Sequence, residues 1–127
     1  MSGIGRRTLL QSGLLAPLAL GIAGLTPRRA GAQGPAARLV GIFRHQESAR
    51  AVGRAYLRLA PEEADPARLL ALIHPGDAAA LAEAELRRAV AARQREDFAC
   101  RRTVLLDGWV LSRTEARLCA LAELTAA

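Results

Sequence analysis

The stretch Thr103-Val104-Leu105-Leu106-Asp107-Gly108-Trp109-Val110-Leu111-Ser112-Arg113-Thr114-Glu115 leaves the chain less freedom than any other. Two short β-prone runs flank Asp-Gly, the pair that a two-residue type I′ turn selects because both of its central residues need positive φ. Ser112 and Glu115 then stand at capping-box spacing, with the serine side chain bonding forward to the helix backbone and the glutamate reaching back. A hairpin must therefore end where a helix begins, and Leu118, Leu121 and Leu124 carry that helix almost to the chain end. A lone two-stranded hairpin is marginal in water, so Val104, Leu106 and Trp109 are expected to lie against the long helix that precedes them.

The rest reads as helix. In ESARAVGRAYLRLA, Val52, Tyr56 and Leu59 recur at i, i+4, i+7 while Arg50, Arg54 and Arg58 form a stripe on another face. Pro61 stops that helix. Asp65 followed by Pro66 predicts a capped start for a short helix through Leu69, Leu70, Leu72 and Ile73, closed by His74-Pro75-Gly76. Asp77 caps again, and DAAALAEAELRRAVAARQREDFA predicts one long helix with Leu86 and Val90 on its inner side and Glu83–Arg87 as an i, i+4 ion pair. Aromatic residues are confined to Phe43, Tyr56, Phe98 and Trp109, so the core must be built from Leu, Val and Ala, which suits closely packed helices. The expected fold is mainly α: a small three- or four-helix domain with a short β-hairpin before the last helix.

The amino-terminal part has a different character. Arg6-Arg7 precede an apolar run from Leu9 to Leu25 that contains Gly13, Pro17, Gly21 and Gly24, and Ala30-Gly31-Ala32 offers a small-residue cleavage site after Arg28-Arg29. This is the layout of a cleavable export signal, and the run is too short and too interrupted for a membrane span of about 20 apolar residues. Arg6, Arg7, Leu9 and Leu10 resemble the signal of the twin-arginine translocation (Tat) pathway, although Gly5, Leu9 and Gln11 depart from its consensus. The organisation expected is a signal over residues 1–32 cut after Ala32, a flexible leader over 33–45 and a single domain over 46–127, with a periplasmic destination. Removing the first 32 of 127 residues leaves 95, enough for one small core. Four of the 18 basic residues, all arginine, leave with the signal, so 14 face 12 acids and the net charge falls from +6 to +2. A nucleic-acid partner loses its electrostatic support.

Chemistry is sparse. His45 and His74 are far apart and stand beside no Cys, Asp or Glu at ligand spacing, and no glycine-rich phosphate loop or Gly-x-Ser-x-Gly elbow occurs. Glu62-Glu63-Asp65 and Glu96-Asp97 sit at helix edges among arginines, where solvation or capping accounts for them better than acid–base work. Arg101-Arg102 near Asp97 could hold an anion, but basic residues at a helix C-terminus already offset its dipole. Cys100 and Cys119 could pair in an oxidising compartment, closing a loop of about 20 residues for roughly 3 kcal/mol. Against a bridge, a Tat cargo folds in a reducing cytoplasm, and Cys119 within Arg117-Leu118-Cys119-Ala120-Leu121 stands where a small buried apolar residue serves. Two free thiols are the favoured expectation. No cofactor, metal or catalytic residue is expected, and the chain reads as a non-enzyme.

The block Asp97-Phe98-Ala99 with Asp107-Gly108-Trp109-Val110-Leu111-Ser112-Arg113-Thr114-Glu115-Ala116-Arg117-Leu118-Cys119-Ala120-Leu121 resembles a group of small Tat-exported bacterial proteins of unassigned activity, as do Gly53-Arg54-Ala55-Tyr56-Leu57 and Pro61-Glu62-Glu63-Ala64-Asp65. More distantly, in size, signal and lack of cofactor motifs, the plan is similar to the small Tat-bearing subunits that accompany large periplasmic flavin dehydrogenases. The resemblance implies partners rather than a reaction: the Tat translocase and a larger, signal-less oxidoreductase subunit. The expected function is a non-catalytic accessory subunit that carries such an enzyme across the membrane, with Arg50, Arg54, Arg58 and Trp109 as candidate contacts. The alternative is a free-standing periplasmic helical binding or stress protein.

Overall fold

Asp107 and Gly108 both adopt positive φ, 48° and 84°, and between them turn strand β1 (Thr103–Leu106) back into β2 (Trp109–Ser112). The strands pair antiparallel with Thr103 opposite Ser112, Val104 opposite Leu111, Leu105 opposite Val110 and Leu106 opposite Trp109. The hairpin thus forms in the register that Asp-Gly demands. This computed structural model describes residues 34–126, which belong to a compact unit beginning at Gly34. Expectations placed on Arg6, Arg7, Leu9, Leu10, Ala30 and Ala32 lie outside the described residues.

Around the hairpin stand helices α1 (Pro35–Val40), α2 (Gln46–Leu59), α3 (Pro66–Ile73), α4 (Glu83–Ala99) and α5 (Arg113–Thr125), with short 3-10 turns at Pro61–Glu63 and Ala78–Ala80. The protein is mainly helical, with an antiparallel hairpin immediately before the final helix. Among the described residues no helix is long and apolar enough to cross a membrane.

Two expectations are corrected. The stretch read as a flexible leader over 33–45 contains α1, with Pro35 in its first turn and Leu39 fully buried. Arg38 holds this helix in place by donating from its guanidinium to the carbonyls of Ala78 and Leu81. These carbonyls are available because the long helix expected from Asp77 is broken. Asp77 caps only the turn Ala78–Ala80, Leu81 is extended, and α4 restarts at Glu83, where the Glu85 carboxylate accepts the Ala82 N–H at 3.0 Å. An early burst of good helix formers did not outweigh two competing starts.

The centre of the domain is α5. Thr114, Ala116, Leu118, Cys119, Ala120, Leu121 and Ala122 are all buried, so neighbours cover most of this helix and leave its charged residues at the margins. Its alanines allow neighbours to come close, and α2 comes closest. A Cβ at Gly53 would collide with the Cys119 carbonyl and crowd the Ala120 Cα, so only glycine permits this crossing. Leu39, Tyr56, Leu69, Ile73, Leu86, Val90 and Leu106 close the core around it.

Candidate functional site

Two buried carboxylates position the surfaces of this protein. Asp65 caps α3 by accepting the Arg68 N–H at 2.8 Å, as its place before Pro66 predicts, but neighbouring Glu63 is not the solvated acid its surroundings suggested. The 3-10 turn swings Glu63 inward, where Arg117 of α5 grips it with Nε on Oε2 at 2.9 Å and Nη2 on Oε1 at 2.7 Å. The Tyr56 hydroxyl donates to the same Oε2 at 2.8 Å. Arg117 holds the Glu63 carboxyl below its ordinary range against the opposing effect of burial, and the Tyr56 hydrogen bond helps. Burial, then the adjacent carboxylate, pushes the Tyr56 hydroxyl up to about 12. One signal for this network was present: a buried tyrosine needs a partner for its O–H. Nothing in the local pattern points to Arg117, which lies 54 residues beyond Glu63.

Asp97, near the end of α4 and 2% exposed, clamps the base of the hairpin. Its Oδ2 accepts the Thr114 N–H at 2.7 Å, satisfying one of the open donors at the start of α5, and its Oδ1 accepts from Arg102 Nε at 3.0 Å. Burial alone would raise the Asp97 carboxyl, but the bonds from Thr114 and Arg102 outweigh it and hold it low. Arg102 therefore serves this carboxylate and Glu96 at 3.2 Å. Ser112 caps the next position by accepting the Glu115 N–H at 2.9 Å, while Glu115 lines a groove beside Ser48 and Cys119. Only the forward half of the expected capping box forms.

From this clamped base the hairpin projects an apolar tip. Leu106 is buried under it and Val104 and Leu111 are partly buried, but β1 packs chiefly on α2 and α5 and not on the long helix expected to receive Val104 and Leu106. Trp109 departs from the expectation: it is 74% exposed, overhanging a cleft of about 230 Å³ lined also by Val52, Leu106, Asp107 and Leu111. On the opposite face Leu105 and Val110, directly paired, are 64% and 59% exposed, and Phe98 at the end of α4 is 51% exposed. Of the large apolar side chains exposed among the described residues, four of five fall between Phe98 and Val110; the fifth is Leu59. A pocket for a drug-sized ligand or cofactor holds about 300–1,000 Å³, so the Trp109 cleft admits something nearer one side chain.

The arginine stripe is divided. Arg54 meets Glu123 of α5 at 2.8 Å and Glu47 at 4.0 Å, and Arg50 lies 3.5 Å from each of these two acids, so both bind α2 to α5 within the chain. Arg58 is exposed and makes no salt bridge among the described residues. The cysteines are free thiols, Cys100 exposed and Cys119 buried. Burial pushes the Cys119 thiol up to about 12, which leaves it an inert packing group against Ala49 and Ala122. His45 precedes α2 and His74 follows α3, and among the described residues no group of three or more His, Cys, Asp or Glu could hold a metal ion. Comparison with models of protein families, with curated proteins and with solved structures finds no match to this chain.

Proposed function

We propose that this protein is a non-catalytic accessory subunit, exported to the periplasm by the Tat route, that binds a larger redox enzyme lacking its own signal and carries it across. The observation that supports this reading is the exposed apolar tip of the hairpin, with Leu105, Trp109 and Val110 held out on a base that Asp97 clamps. Exposed apolar surface marks contact sites, here on both faces of the hairpin, and tryptophan is among the side chains that most often anchor them. The internal engagement of Arg50 and Arg54 moves the contact from the arginine stripe to the hairpin.

The test is a pull-down from native periplasm with a C-terminally tagged chain, repeated with Arg6 and Arg7 both changed to Lys. Co-purification of a large cofactor-bearing protein, lost from the periplasm in the Lys-Lys variant, is the expected result. A chain recovered alone favours the free-standing helical protein instead.

A further inference from the structure

The open edge of β1 offers a second reading of the same hairpin. Arg113 N–H bonds the Arg102 carbonyl at 2.9 Å, and ladder bonds in an antiparallel pair fall on alternate residue pairs. The pairs 104–111 and 106–109 therefore carry the bonds, and the backbone N–H and C=O of Thr103 and Leu105 point away from β2. No other backbone group among the described residues bonds them. Strand edges left open are ordinarily blunted by charge, proline or a bulge, yet Thr103–Leu106 carries none of these. What charge there is stands at the two ends. Arg101 precedes the strand and Asp107 follows it; both are in the left-handed region, both are exposed, and neither forms a salt bridge among the described residues.

We propose that in the absence of a larger partner this edge closes on a second copy of the chain, β1 against β1 about a two-fold axis beside Val104. The inference takes from the functional reading only that the hairpin is a docking surface. Antiparallel pairing about that axis sets Thr103 opposite Leu105 and Arg101 opposite Asp107, each contact occurring twice, as a two-fold interface requires. Both ion pairs form at once because the opposite charges stand at opposite ends of one four-residue strand. Shifting the axis by one ladder step to Leu105 or to Thr103 loses both, so charge selects the register.

The test is sedimentation equilibrium of the full chain alone, with Arg101→Asp and Asp107→Arg variants measured singly and mixed. Arginine already occupies a left-handed position at 101, and Asp107→Asn removes the charge while keeping a turn-forming residue, so a folding failure of one variant does not decide the outcome. A concentration-dependent dimer is expected, weakened about tenfold or more in each reversal and restored when the two reversed chains are mixed. A monomer at all concentrations overturns the proposal, as does a dimer indifferent to both reversals or one not rescued by mixing. None of these results touches the carrier reading, because no partner is present in the experiment, whereas the pull-down fails or succeeds without reference to the dimer.

Discussion

The last helix and the hairpin tip adjoin in sequence and differ in nearly every physical respect. In α5 most side chains are buried, small residues allow close crossing, and the two carboxylates buried around it are matched: Glu63 with Arg117 and Tyr56, Asp97 with Arg102 and Thr114. At the tip the side chains are as apolar as those of a core, yet Leu105, Trp109 and Val110 face water. Folding is completed by the helix, whereas the tip satisfies nothing inside the chain. The contrast teaches that hydrophobicity alone does not place a residue. The left-handed Asp107-Gly108 turn and the clamp at Asp97 aim the tip outward whatever its side chains prefer.

The sharpest way to break the comparison is to remove a buried partner. Glu63→Ala leaves the Arg117 guanidinium and the Tyr56 hydroxyl without their acceptor and should cost about 3–5 kcal/mol in urea unfolding. Replacing Glu63 and Arg117 together with leucine should recover most of that loss, because no charge is then left unpaired. Gly53→Ala attacks the helix from the other side by forcing a methyl into the Cys119 carbonyl; a loss near the upper end of the 1–3 kcal/mol typical of overpacking is expected from the same measurement.

The buried carboxylates also make a pH signature. Their folded-state pKa values lie below the ordinary 4.5 of Glu63 and 3.8 of Asp97. The stability they contribute is therefore present above those values and disappears as pH falls through the lower, folded ones. Thermal unfolding should show a midpoint that declines below about pH 4.5, and Glu63→Gln should flatten part of that decline. On the alkaline side Tyr56, the sole tyrosine, should ionise near 12 instead of 10 by ultraviolet titration. Deprotonation at pH 10 would show that the network opens in solution.

The smallest effect belongs to the tip. Leu105→Thr with Val110→Thr should change stability by no more than about 0.5 kcal/mol, since both side chains are mostly in water already. A larger loss would mean that the tip is packed after all and would remove the main support for a docking surface.

What could be read from the residues in order is what short-range chemistry controls. Asp107-Gly108 demanded a tight hairpin, Ser112 a helix start, Asp65-Pro66 another, and the spacing of Val52 and Tyr56 an amphipathic helix. Each is present because its cause lies within a few residues of its effect. Where two local signals competed, as between Asp77 and Glu83, the sequence supported one long helix, and only the carbonyls taken by Arg38 mark the break. The helix at Pro35–Val40 is hidden from local pattern for a similar reason, because α1 packs on α3, α4 and α5, elements that its neighbours in sequence do not announce.

The sequence by itself thus determined α2, α3, the hairpin with its turn and α5, in that order, but neither α1 nor the break before α4. The tertiary structure decided which charges are internal and which apolar groups are external. Glu63 joins Arg117, Arg54 joins Glu123, and Trp109 shares its cleft with Val52 because segments distant in the chain meet there. Hydrogen-bond geometry and φ preferences act between neighbours and are written along the chain. Burial and ion pairing depend on distance in space, and that distance exists only once the chain has folded.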